Sequence, residues 1–156
     1  MKKIFLFFVA AFMLFQSCDE SGVTPPVVVD DAFRGNLIVG DYVNKSVGIT
    51  VTEDSDSTVQ VFFDNVKFAK AMPVYVDITL KNVPCSNNDG VLNFYIENID
   101  PYLNKEKEPS SNYRFAVVSG TVVADELLLS ARMSEELVPS RAGKEFSFSG
   151  VRSFVE

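Results

Sequence analysis

The sequence predicts an all-β protein: a single eight-stranded antiparallel up-and-down barrel behind an N-terminal leader. Three observations carry this. Apolar and polar residues alternate with a period of two in eight separate segments, the pattern of a strand with one buried face. The links between them are short and rich in Asn, Asp, Gly and Ser, which favours hairpins between neighbours. No segment after the leader carries the 3.6-residue period of an amphipathic helix. Eight such strands in the 125 residues from Ala32 to Glu156 suit a barrel, whose closure removes exposed edges; a sandwich of similar size is the alternative.

The chain opens Met1-Lys2-Lys3 and continues with twelve apolar residues from Ile4 to Phe15, the layout of a signal peptide. A membrane-spanning helix needs about 20 apolar residues, so this run is too short to be kept as a span. Ser17 is small enough for the last position of an ordinary cleavage site, but Phe15 is too large for the third-last. The run Phe15-Gln16-Ser17-Cys18 resembles a bacterial lipobox, with Phe15 in place of the more usual Leu. The resemblance implies that residues 1–17 are removed and that Cys18 becomes the first residue, carrying diacylglyceryl on its sulfur and a further acyl chain on its amine. Several chains, at about 0.8 kcal/mol per buried methylene, anchor stably where one alone is marginal.

Asp19 and Glu20 follow directly. In lipoproteins of the Bacteroidota, acids just after the acylated Cys resemble an export signal to the outer face of the outer membrane, so they imply a protein facing outside. Residues 18–31 then read as a tether: the run from Asp19 to Asp31 contains Pro25, Pro26 and four acids, a composition that favours an extended chain.

The folded domain is expected over 32–156. Its strands are marked by Leu37 and Val39; by Val47, Ile49 and Val51; by Val59, Val61 and Phe63; and by Val74, Val76, Ile78 and Leu80. They continue at Leu92, Phe94 and Ile96, at Phe115 and Val117, at Leu127, Leu129, Ala131 and Met133, and at Phe146 and Phe148. Turns are expected at Asn44-Lys45, within the polar run 53–57, at Asn87-Asn88-Asp89-Gly90 and at Ala124-Asp125. Asp100 to Ser111, with Pro101 and Pro109, reads as a surface loop.

Loss of the leader takes two lysines and no acid from the 14 Lys and Arg, leaving 12 against 21 Asp and Glu, a net charge of −9. Nucleic acid is therefore not an expected partner, because phosphate binding needs clustered cations. With Cys18 acylated, Cys85 has no cysteine to pair with, and the core alone must hold the fold. The sequence contains no His, which excludes Ser-His-Asp and Cys-His catalysis and the zinc sites built on imidazole.

No cofactor or metal is expected. Asp54 and Asp56 superficially suggest calcium, but counting from Asp54 puts Val59 and Asn65 where an EF-hand loop needs Gly and Glu. Cys85 reads as half-buried packing, and Glu97 with Asp100 is no more a glycosidase pair than any two acids of an acidic protein. The protein is read as not an enzyme.

Taken together, the lipobox, the acidic Pro-containing tether, the early Phe33-Arg34-Gly35, eight amphipathic strands and the closing Phe148-Ser149-Gly150 resemble the calycin-like domain of Bacteroidota lipoproteins. The resemblance implies a lipocalin-related barrel. The chain has no Trp for the Gly-x-Trp signature of true lipocalins and no disulfide. A barrel of eight strands has an interior that is either filled or holds one small ligand. Val61, Phe63, Val76, Ile78, Phe94, Phe115, Leu129 and Phe148 are the expected lining of such an interior, apolar throughout. The expected function is non-catalytic binding of a small apolar ligand by a lipid-anchored outer-membrane protein. The alternative is a filled barrel that contacts other proteins through the loops at 100–111 and 134–144.

Overall fold

The computed structural model describes residues 30–153. Cys18, Asp19, Glu20 and the tether lie outside these residues. The fold is a closed eight-stranded antiparallel barrel, as the alternation predicts. The strands of its wall are β1 (Asp30–Val39), β2 (Tyr42–Ser55), β3 (Thr58–Val66), β4 (Val76–Asn88), β5 (Val91–Ile99), β7 (Phe115–Val123), β8 (Glu126–Met133) and β9 (Glu145–Arg152), and a ninth, the two-residue β6 (Tyr102–Leu103), pairs beside β4. The sheet runs β3-β2-β1-β9-β8-β7-β5-β4, and pairing of β3 with β4 closes it. β1 begins at Asp30, two residues before the expected edge of the domain.

Each strand buries alternate residues, because a period of two points successive side chains to opposite faces. In β8 the inward set is Leu127, Leu129, Ala131 and Met133; in β9 it is Phe146, Phe148 and Gly150, with Ser147 and Ser149 outward. The core is continuous from Phe33 to Phe148, and many of its members, Val61 and Ile78 among them, have no accessible surface.

Three expectations about strand faces and turns fail locally. Val117 does not follow Phe115 inward: a bulge against β8 lies between Phe115 and Val117, and the inward residues beyond it are Val118, Gly120 and Val122. A bulge adds one residue and so exchanges the faces. Val74 lies before the start of β4 and is 58% exposed. Asn44-Lys45 is not a turn but part of β2, where the pairing with β1 jumps from Gly35↔Val47 to Leu37↔Asn44 and Ser46 takes a φ of 59°. The turn sits at residues 40–41, where Gly40 supplies a φ of 56° at no steric cost. Asp89-Gly90 is a turn as expected, both residues having positive φ, as a type I′ hairpin requires.

The up-and-down order sorts the connections. The tight turns at 56–57, 89–90 and 124–125 share one end with the start of β1 and the end of β9, and the links 67–75, 100–114 and 134–144 share the other. The loop expected between Asp100 and Ser111 is not all surface: Leu103 is buried and β6 pairs with Ile78 and Thr79 of β4. It is needed there because β5 pairs with β4 only from Cys85 to Asn88.

The long-loop end is plugged by aromatic rings. Phe68, from 67–75, meets Phe146 edge-on at 4.9 Å and Tyr113 at 5.9 Å, and Phe146 lies 5.9 Å from Phe115. Arg141 stacks over Tyr113 at 4.6 Å and donates to the Asn112 carbonyl at 2.7 Å. The barrel is thus covered where its loops are longest.

Candidate functional site

All eight expected lining residues point inward, and each has 5% or less of its surface accessible. A void of ligand size would leave free surface on its walls, so these side chains pack against one another. Two glycines make room for the largest of them. Phe94 lies over its cross-strand partner Gly120, where an added Cβ would fall 2.0 Å from the ring, and Phe148 lies over Gly150, two residues on in its own strand, where an added Cβ would fall 2.4 Å from the ring.

Open space lies instead on the outer wall, as a depression of about 1020 Å³ spanning β1, β9, β8, β7, β5 and the second half of β4. Its floor follows from strand register, which sets outward residues side by side. One row runs Tyr95, Ser119, Ser130, Ser147, Ile38 across β5, β7, β8, β9 and β1. The next runs Ser86, Asn93, Thr121, Leu128, Ser149, Asn36. Serines keep the floor low, while Leu128, 55% exposed, and Tyr95, 51% exposed, stand above it. Within the rows Ser119 and Ser130 share a hydrogen bond of 2.8 Å, and Thr121 donates to Asn93 at 2.9 Å. The Tyr95 hydroxyl donates to Glu97. Of the expected lining residues, Phe94, Leu129 and Phe148 also border this depression. The outward position of Ser147 and Ser149 is readable from alternation; that they join a floor is not, because it depends on pairing between strands far apart in sequence.

Of the titratable residues singled out in the sequence, only Cys85 borders the depression. Asp54 and Asp56 sit exposed beside the 56–57 hairpin tip. Glu97 is taken by Tyr95, and Asp100 by a bidentate pair with Arg114 at 2.7 and 3.0 Å. Cys85 is half-buried, and burial, helped by the charge of Glu53, pushes its thiol up. A thiol so shifted is a weaker nucleophile at neutral pH. Among the described residues, no three acids or cysteines cluster to hold a metal.

The hydrogen bonds from Arg114, reinforced by its charge, hold the Asp100 carboxyl below its ordinary range. A depressed carboxylate contributes stability that is whole above the ordinary aspartate value and is lost as pH falls through the folded-state value. Asp100→Asn is therefore expected to weaken the domain at neutral pH and to leave it little changed in strong acid. Unfolding by urea across that pH range checks this; an equal loss at both ends would disprove it.

The barrel is similar to the crystal structure, at 2.40 Å, of a candidate outer membrane protein from Bacteroides fragilis NCTC 9343, with a TM-score of 0.52 and 17% identity. The match covers 79% of this chain and 50% of that one, so it spans half the length of that protein. At this identity the likeness is one of fold. No family model matches the chain, and no curated protein is similar to it.

Proposed function

We propose that this protein is a non-catalytic binding module, held on the outer membrane by lipid on Cys18 and facing outward, which takes a small ligand on the outer wall of a calycin-like barrel. The observation that carries the proposal is the depression of about 1020 Å³ beside a packed interior. Ligand sites are concave, with a few polar groups that fix orientation. The outer-membrane setting is supported by the lipobox and by the Bacteroides barrel of similar fold, itself a candidate outer membrane protein. The closed meander of eight strands supports the calycin-like reading. The described chain starts at the tight-turn end, opposite the long loops.

An apolar guest inside the barrel is a second reading, favoured by a core with hardly a polar group, and it would have to part side chains that now touch. Contact with other proteins through 100–111 and 134–144 is favoured by the gathering of those loops at one end, with Val138 exposed in the second.

Fatty-acid labelling is expected to tag the wild type and miss Cys18→Ala. Native mass spectrometry of full-length protein from its own cells is expected to show a discrete non-covalent mass, absent from Ser130→Phe, whose ring would fill the floor. A bare wild-type mass would favour the loops, and an unchanged mass in Ser130→Phe would favour the interior. Equal labelling of both chains would remove the lipid anchor from the proposal.

A further inference from the structure

We propose that the depression accepts a neutral, polyhydroxylated ligand, in chemical terms a sugar chain, laid across the strands with one ring against Tyr95. This rests on the depression being the ligand seat and adds the class of ligand.

Charge is the first argument. The chain carries a net charge of −7, yet none of the 17 residues bordering the depression is Asp, Glu, Lys or Arg. An anion would call for Arg or Lys and a cation for carboxylates; a neutral ligand calls for neither.

Unspent hydrogen bonding is the second. Ser119–Ser130 and Thr121–Asn93 satisfy each other, whereas Asn36, Ser147 and Ser149 form no side-chain hydrogen bond among the described residues. A hydroxyl and a carboxamide each donate and accept, so they suit partners that do the same, as sugar hydroxyls do. A wholly apolar guest would leave these groups dry and unpaired, which costs free energy.

The third argument is the backbone. The N–H and C=O groups of β9, β8 and β7 in the floor are consumed by ladders on both their sides, so a peptide could not add across it as a strand, which requires a free edge; β5 parts from β4 only beyond Phe94, at the rim. Tyr95 ends one row with its hydroxyl tied to Glu97, so its ring is oriented before any ligand arrives, and an aromatic face with one wet end suits a sugar ring.

The test titrates full-length protein, in a detergent without a sugar headgroup, with neutral hexasaccharides of glucose, mannose and galactose. Hexagalacturonate serves as the charged control and aminoanthracene as the apolar one. Saturable binding of at least one neutral hexasaccharide is expected, weakened at least about tenfold in Tyr95→Ala, weakened less in Tyr95→Phe, which keeps the ring but not its tie to Glu97, and abolished in Ser130→Leu. Circular dichroism checks that the variants fold, and Ser147→Leu replaces Ser130→Leu if that chain does not. Absence of neutral-saccharide binding, or binding indifferent to these substitutions, overturns the inference. If aminoanthracene alone binds and Ser130→Leu abolishes it, the inference falls while the seat stands; if no probe binds, neither the ligand class nor the seat survives.

Discussion

Replacing Phe148 by alanine is expected to lower the stability of the domain by about 3 to 5 kcal/mol, whereas Ser147→Ala, one residue away, is expected to change it by less than about 0.5 kcal/mol. The contrast follows from the pleat. Phe148 is 2% exposed and sits at the centre of the inward face, paired with Leu37 of β1 on one side and Leu129 of β8 on the other. Its ring also covers Gly150, which has no side chain to fill the space left behind. Backbone ladders on both flanks stop the wall from collapsing inward, so truncation loses both the transfer term and the cavity term. Ser147 faces outward in β9 and makes no comparable contact. Urea unfolding of the full-length chain and the two variants measures the difference. A larger loss for Ser147→Ala would mean that the faces of β9 are reversed.

Period-two alternation exposed the barrel because its walls bury one face and wet the other. Where it failed, the register was altered by something that alternation does not encode. An extra residue in β7 turned Val117 outward, and an irregular pairing absorbed Asn44 and Lys45 into β2, although Asn is ordinarily a turn residue. Leu103 and Phe68 entered the core from connections without any repeat, because a barrel end needs a plug and a parting pair of strands needs a filler. The candidate site was legible only in pieces. Each serine of the floor is an ordinary outward residue in its own strand, and a lone exposed serine reads as solvated. Only the ladders that bring β1, β9, β8, β7 and β5 side by side turn these residues into one surface.

The two Phe-and-Gly motifs that bracket the domain in sequence meet in space, and that meeting sets the second large expected effect. Gly35 of β1 lies opposite Gly150 of β9, where the first and last strands of the wall pair. A Cβ added at Gly35 would stand 2.1 Å from the Ser149 carbonyl oxygen and 2.5 Å from the Gly150 Cα. Both are backbone atoms held by the ladder, so no rotamer change relieves the overlap; β1 and β9 must separate. Overpacking a built core costs about 1 to 3 kcal/mol and occasionally more. With only backbone to yield, Gly35→Ala is expected at or above the upper end, about 3 kcal/mol. Gly48→Ala is the matched control: its added Cβ would meet the Asp64 side chain at an ordinary 3.5 Å, and the stiffer unfolded chain would if anything add a few tenths of a kcal/mol of stability. Urea midpoints for the two variants should therefore move far apart, with faster amide exchange along β1 and β9 in Gly35→Ala alone. Equal midpoints would show that the first and last strands approach less closely than their glycines allow.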